Sequence, residues 1–349
     1  MTPVAYERLP GFAADDALAA FSVFKGFARA FLGGAAPPRA AKPAPPALGA
    51  AARAALAAHP RDADAARAFF VAHFEARLIG PGFLTGYYEP WVGGSLTPSS
   101  VYSAPLLGRP GDLVTLPLGE GPSGFAAARR GPDGALTPYP ARREIEAEAR
   151  NPVVWLNDAV EVYLIQVQGS ARVRLRDGGW RRLIYDGRNG RPYTSIGRLL
   201  VEAGEIGEAE MSLARLKSWL RAAGVKPGER GRELMQQNDS YVFFRLADDA
   251  GEGPIGGAGR PLTALRSIAV DRAHWSYGLP FYPVATLPWT SETPTPFARL
   301  MIAEDTGSAI VGPARADLFF GGGEAAGQRA GSIRHEAEMF VLWPREPAV

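Results

Sequence analysis

Residues 299–329 read R-L-M-I-A-E-D-T-G-S-A-I-V-G-P-A-R-A-D-L-F-F-G-G-G-E-A-A-G-Q-R. The apolar run 300–303 has the composition of a buried strand and stops at Asp305, where Gly307 permits a turn. Residues 309–311 read as a second short strand leading into the turn at Gly312-Pro313. Asp317 then opens Leu318-Phe319-Phe320, a run that ends at Gly321-Gly322-Gly323. Two carboxylates thus stand at the ends of apolar segments, beside glycines that let backbone or ligand approach closely. Walls of Leu and Phe disfavour the charged form of a carboxylate and raise its pKa, which a general acid working near neutral pH requires. Read alone, each Asp is more commonly an Asx-turn device than a catalytic group.

The surroundings of this stretch limit the chemistry. A chain of 349 residues can bury a large core and suggests about two domains. With 46% hydrophobic, 10% aromatic and 21% charged residues it has the composition of an ordinary globular protein. The net charge of +2 sets up no field that favours nucleic acid or an anionic membrane. Lysines are confined to Lys25, Lys42, Lys217 and Lys226, and no basic cluster is interleaved with aromatics as a single-strand binder needs. Absence of Cys excludes disulfides, thiolate chemistry and Cys-based zinc sites. No apolar run approaches the length of a membrane span, and residues 1–8 carry neither an apolar signal region nor a Cys to acylate. His59, His73, His274 and His335 lack ligand spacing, so metal catalysis is poorly supported, and nucleophile-elbow, Walker A and dinucleotide fingerprints are missing.

In chain order, Leu18, Phe21, Phe24 and Phe27 predict a helix over 15–31, and Phe70, Phe74 and Leu78 another over 62–78. The Pro- and Ala-rich segment 33–49 reads as a linker. Gly82-Phe83-Leu84-Thr85-Gly86-Tyr87-Tyr88-Glu89-Pro90 reads as a strand whose adjacent tyrosines point to opposite faces, one to pack and one to present. A charged helix is expected over 141–150, and the β-branched run 160–167 reads as the strongest strand of the chain. Gly169, flanked by Gln168 and Ser170 where apolar residues are expected, then marks a bulge or a ligand approach. Residues 171–175 and 180–185 complete a meander, and 185–193 form a double turn. Thr194 or Ser195 and Ser212 cap two helices, and strands return from 241 onward. The pattern is mainly β with a few peripheral helices.

Asp305-Thr306-Gly307-Ser308 also spells the active-site tetrapeptide of aspartic proteases. That chemistry needs two carboxylates sharing one proton, and no second D-[TS]-G is present. Taken together, the pieces F-L-T-G-Y-Y-E-P, Q-V-Q-G-S-A-R-V-R-L, Y-D-G-R-N-G-R-P-Y-T-S-I-G, N-D-S-Y-V-F-F-R, R-S-I-A-V-D and the stretch from Asp305 to Gly331 resemble, in order, the MltA family of lytic murein transglycosylases with its 3D domain.

The resemblance implies a double-psi β-barrel domain built from 1–90 and 245–349, with a smaller β domain, 91–244, inserted, and a groove for glycan strands. The family's catalytic Asp falls on Asp317, with Asp305 as its partner. Thr85, Gly86, Tyr87, Tyr88, Gln168, Gly169, Ser170, Tyr193 and Ser195 are the candidates for holding sugars. The implied reaction cleaves the MurNAc–GlcNAc bond and closes a 1,6-anhydro ring, with no metal or organic cofactor. The implied partners are peptidoglycan glycan strands and other cell-wall enzymes, the chain acting as a monomer in the periplasm or cell envelope. Many members are outer-membrane lipoproteins, and this chain departs from them in having no Cys to acylate. A polysaccharide-binding barrel without activity and a hydrolase of the same glycan are the competing expectations.

Overall fold

A computed structural model describes residues 1–117, 119–249, 251 and 253–346. The chain divides into two compact units, Met1–Tyr88 with Glu252–Val349, and Glu89–Gly251. The strands used below are, in chain order, β1 (Phe74–Glu89), β2 (Trp91–Ser95), β3 (Ala104–Leu107), β4 (Pro152–Leu156), β5 (Ser170–Leu175), β6 (Trp180–Arg188), β7 (Val242–Asp248), β8 (Ser267–Val270), β9 (Pro280–Leu287), β10 (Met301–Asp305), β11 (Arg315–Gly322) and β12 (Arg334–Pro344).

In the first unit the pairings close on themselves. β1 pairs with β11, β11 with β8, β8 with β10, β10 with β9, β9 with β12, and β12 returns to β1. In this ring β8 and β10 run parallel, while β8–β11, β9–β10, β9–β12 and β1–β12 run antiparallel. Closure removes the exposed strand edges that an open sheet of this length would present. Three helices, α1 (Ala17–Leu32), α2 (Pro46–Ala57) and α3 (Ala63–His73), cover one side of the ring. The side chain of Asp16 caps α1 by accepting the Ala19 N–H at 3.2 Å, and Phe21, Phe24 and Phe27 bury the face that the sequence pattern marks. They meet Tyr282, Leu300, Ile302, Phe340 and Leu342 of the barrel in one apolar cluster. Asp15 anchors this layer, accepting two bonds from Arg266 at 2.9 Å and the Leu300 N–H at 2.8 Å, all buried.

Two expectations for this unit fail at element ends. The helix expected over 62–78 stops at His73, and Phe74 and Leu78 belong to β1, where they serve the core from a strand. α2 begins inside the segment read as a linker, because Pro46 suits the first turn of a helix and Leu48, Ala51, Ala52 and Ala55 bury a small-residue face.

The second unit is a six-stranded sheet in the order β7-β6-β5-β2-β4-β3, parallel only between β2 and β5, beside a small sheet of Leu113–Thr115, Ala127–Arg130 and Leu136–Pro138. The charged helix expected near 141 is α4 (Arg142–Glu148). The run 160–167, read as a strand, is the helix α5 (Ala159–Gln168). Ile165 packs on the sheet, while Val160, Tyr163 and Leu164 pack on α6 (Ile196–Glu202), α7 (Leu213–Ala222) and α8 (Arg230–Met235). A helix buried on two sides shows no polar face, so its periodicity is silent. Its ends still carry signals: Asp158 accepts the Val160 N–H at 2.8 Å, and Gly169 closes it at φ +85°.

Candidate active site

The register of three barrel strands builds the site. Ala269 of β8 stands opposite Asp317 of β11 and opposite Asp305 of β10. The two carboxylates therefore occupy one rung and one face, with a methyl group between them, their strands roughly 10 Å apart. This alignment depends on a bulge. Ile268 pairs with Ala303, but Ala269 pairs with Asp305, so Glu304 is the extra residue. A bulge beside a site re-aims a side chain, and here it brings Asp305 to the rung. Glu304 is buried, accepting the Ser267 hydroxyl at 2.6 Å, with Arg260 Nε at 3.8 Å.

Asp317 is walled in on most sides but keeps a partly accessible face. Thr85 Oγ1 donates to its Oδ1 at 2.7 Å, and Arg315 Nη2 donates to the same Thr85 hydroxyl at 2.7 Å. Arg315 thus touches the carboxyl only through a neutral relay. Burial pushes the Asp317 pKa up to about 6, the charge of Asp305 adds to this, and Arg315 and Thr85 oppose it. Asp305 is held differently: its Oδ1 accepts the Gly257 N–H at 2.7 Å, with Arg39 Nη1 at 3.7 Å.

Alternation along β1 sorts the four residues read there. Thr85 bonds Asp317, and the buried Tyr87 lies on the same face, its hydroxyl raised well above the ordinary phenol range by burial and then by Asp305 and Asp317. Gly86 and Tyr88 point the other way, to α9 (Glu324–Gly331). A Cβ on residue 86 would stand 2.7 Å from Ala330 Cα, and one on residue 327 would stand 2.7 Å from the Tyr88 ring.

Gln168, Gly169, Ser170, Tyr193 and Ser195 all lie in the second unit. Gln168 ends α5 half-buried, Gly169 is its left-handed cap, and Ser170 is the buried first residue of β5. Gly169 is therefore a helix terminator, not a mid-strand bulge. Ser195 caps α6 by accepting the Arg198 N–H at 3.3 Å, as expected of a serine there. Half-buried Tyr193 sits in a segment fixed by two buried amides. Asn189 donates to Pro140 O at 2.9 Å and Asp239 O at 2.8 Å, and Asn238 Oδ1 accepts the Thr194 N–H at 3.0 Å.

The strand expected over 309–311 is absent. Ile310 closes a turn onto Gly307 and is buried, Val311 is exposed, and Asp271 Oδ2 accepts the Gly312 N–H at 2.7 Å. Sequence reading missed Arg315, Arg39, Gly257 and Asp271. Arg315 had a signal, since it lies two residues before Asp317 and so on the same face of a strand. Arg39 and Gly257 reach Asp305 only across distant parts of the chain, and Asp271 holds the Gly312 turn that lies between the two carboxylates in sequence. Among the described residues no group of three or more His, Asp or Glu side chains could hold a metal ion, and no helix is long and apolar enough to cross a membrane.

Comparison with known proteins finds relatives of this chain in sequence and in fold. Residues 83–245 match the model of the MltA specific insert domain, and 266–343 match the 3D domain. The membrane-bound lytic murein transglycosylase A of Escherichia coli K12 is 33% identical over 213 residues, 58% of this chain and 56% of that protein. The aligned part thus spans little more than half the length of that curated relative. The crystal structure of a membrane-bound lytic murein transglycosylase from Agrobacterium tumefaciens superposes with a TM-score of 0.89 at 34% identity, covering 99% of this chain and 97% of that one. The structure of E. coli MltA with bound chitohexaose gives a TM-score of 0.64 at 26% identity, over 86% of this chain and 82% of that one.

Proposed function

The chain belongs to the MltA family, and from that premise we propose that it is a lytic transglycosylase that cleaves the MurNAc-β-1,4-GlcNAc bond of peptidoglycan with Asp317 as its acid and then its base. One observation carries the proposal: Asp317 alone on its rung combines a partly open face, a pKa raised to about 6 and no direct arginine partner. Protonated, it donates to the oxygen between the two sugars. As a carboxylate it then takes the proton of the MurNAc C6 hydroxyl, whose oxygen closes the 1,6-anhydro ring. The nucleophile belongs to the substrate, so no second carboxylate is required to activate a water or to form a covalent intermediate. Proximity within one sugar ring supplies much of the acceleration.

Asp305 acts beside Asp317 as a fixed negative charge that favours the protonated form. Among the residues read as substrate-binding, we assign Gln168, Gly169 and Tyr193 to sugar hydroxyls and N-acetyl groups, and Thr85 and Tyr87 to the acid. Gly86, Tyr88, Ser170 and Ser195 hold their own elements in place. The six-membered strand ring of the first unit supports a double-psi barrel as its architecture. The names of the relatives and the chitohexaose seated on one of them support glycan strands as the partner and the periplasm as the location.

Mass spectrometry of products from purified peptidoglycan tests this. Muropeptides one water lighter than hydrolysis products are expected from the wild type and not from Asp317→Ala. Full-mass reducing sugars would make the protein a hydrolase, and glycan binding without release would make it a binding module.

A further inference from the structure

The segment before α2 is tied to the barrel along its length. The Arg39 N–H donates to Gly257 O at 3.3 Å, the Lys42 N–H donates to Arg272 O at 2.8 Å, and Arg272 Nη1 donates to Ala40 O at 3.3 Å. This strap carries a guanidinium to the site: Arg39 Nη1 donates to the Thr306 carbonyl at 2.6 Å and stands 3.7 Å from Asp305 Oδ1. The same oxygen accepts the Gly257 N–H at 2.7 Å. Residue 257 has no room for a side chain, because a Cβ there would stand 2.4 Å from the Tyr277 hydroxyl and 3.3 Å from Asp305 Oδ1. One residue on, the Ala258 N–H donates to Glu304 O at 2.9 Å, so the glycine loop also grips the bulge that aims Asp305.

We propose that Arg39 and the Gly257 N–H are positioning groups for proton transfer, clamping Asp305 on the rung it shares with Asp317 so that its charge bears on the Asp317 proton. The proposal rests on the reading of Asp317 as the acid. Asp305 is faced by Arg39, Tyr87, Tyr277, Glu304 and Asp317, and Asp317 by Thr85, Arg315, Tyr87 and Asp305. Tyr87 and Tyr277 are buried and raised as phenols, so both stay neutral beside Asp305 and neither replaces the cation. Without the clamp the Asp305 carboxylate is free to turn out of the rung. Its field at Asp317 then weakens, Asp317 releases its proton at lower pH, and the alkaline limb of kcat/KM moves down.

The test compares Arg39→Met, Asp305→Asn and the double variant. Two readouts are taken: kcat/KM against pH on purified peptidoglycan, and the carboxyl titration of Asp317 by carbon NMR, assigned by its loss in Asp317→Asn. Arg39→Met is expected to move the Asp317 titration to lower pH and to cut turnover at pH 7 roughly tenfold, the effect of a tenfold change in the protonated fraction. In the Asp305→Asn background it is expected to add nothing, since both changes break one unit. Arg39→Lys should restore part of the loss, and Gly257→Ala should shift the titration in the same direction with no charge removed.

An unmoved titration in folded Arg39→Met, or an undiminished further loss in the Asp305→Asn background, overturns the clamp. Should Arg39→Met fail to fold, Gly257→Ala decides by the same readout. A shifted titration in a protein that releases no anhydro product would uphold the clamp and reject the functional reading, and anhydro product with an unmoved titration would do the reverse.

Discussion

Two carboxylates, one in each unit, Glu89 buried and Asp317 half-buried, are pushed up to the same pKa of about 6 by different balances. Glu89 is fully buried against Arg182, which donates from Nε at 2.8 Å and from Nη2 at 3.3 Å. Burial outweighs even that fork, and Arg172 adds a smaller opposing charge. Asp317 has no such fork: Thr85 stands between it and Arg315, and Asp305 raises it further. A raised pKa by itself therefore does not identify an acid. Both oxygens of Glu89 are committed to one guanidinium, so its proton cannot be exchanged with a ligand. Asp317 keeps an open face and a hydroxyl partner, which lets it lose a proton and regain it.

The sharpest way to break this comparison is to remove each charge in turn. Asp317→Asn should lower kcat by about 1000-fold, within the span of general acid–base effects, without lowering the melting temperature. Glu89→Gln should leave kcat per folded molecule nearly unchanged but cost about 1–3 kcal/mol in urea melts, because buried Arg182 loses its forked carboxylate partner and keeps Asp249 Oδ1 at 3.5 Å. If Glu89→Gln costs activity as Asp317→Asn does, the distinction fails.

A smaller effect should come from the relay. Thr85→Val removes a hydrogen bond that favours the Asp317 carboxylate, so the pKa of Asp317 should rise above about 6. The alkaline limb of kcat/KM should then move up by about one pH unit. A downward move would mean that Arg315, released from Thr85, turns directly onto the carboxylate.

The last effect concerns stability alone. Burial raises Glu304 from 4.5 to about 7, against the opposing Ser267 bond and Arg260 charge. A carboxyl raised on folding contributes stability that is fully present below its ordinary value and lost as pH climbs through the raised one. Wild-type melting should therefore weaken between about pH 4.5 and pH 7. Glu304→Gln should flatten that slope, a difference on the order of 2 kcal/mol. An unchanged slope would show that the Ser267 and Arg260 contacts already stabilise the charge in full.

Sequence alone determined the two carboxylates beside apolar segments, of which Asp305 ends its strand and Asp317 lies inside one, the β nature of the segments around Leu300, Leu318 and Ile268, the Phe stripe of α1, and the serine caps of α6 and α7. These are local matters of apolar runs, turns and capping chemistry, and the order of the motifs sufficed to suggest the family. The identity of α5 stayed hidden because a helix packed on two sides carries no polar face, although Asp158 and Gly169 marked its ends. Only tertiary structure decided what surrounds each carboxylate. The rung through Ala269 arises from strand pairing and one bulged residue, Glu304, neither of which leaves a periodic trace. The guanidinium beside Asp305 arrives on Arg39 from a proline-rich strap, and the N–H from Gly257 of a loop elsewhere in the chain. Proton affinity depends on burial and on neighbouring charges, and those neighbours are set by folding rather than by order along the chain.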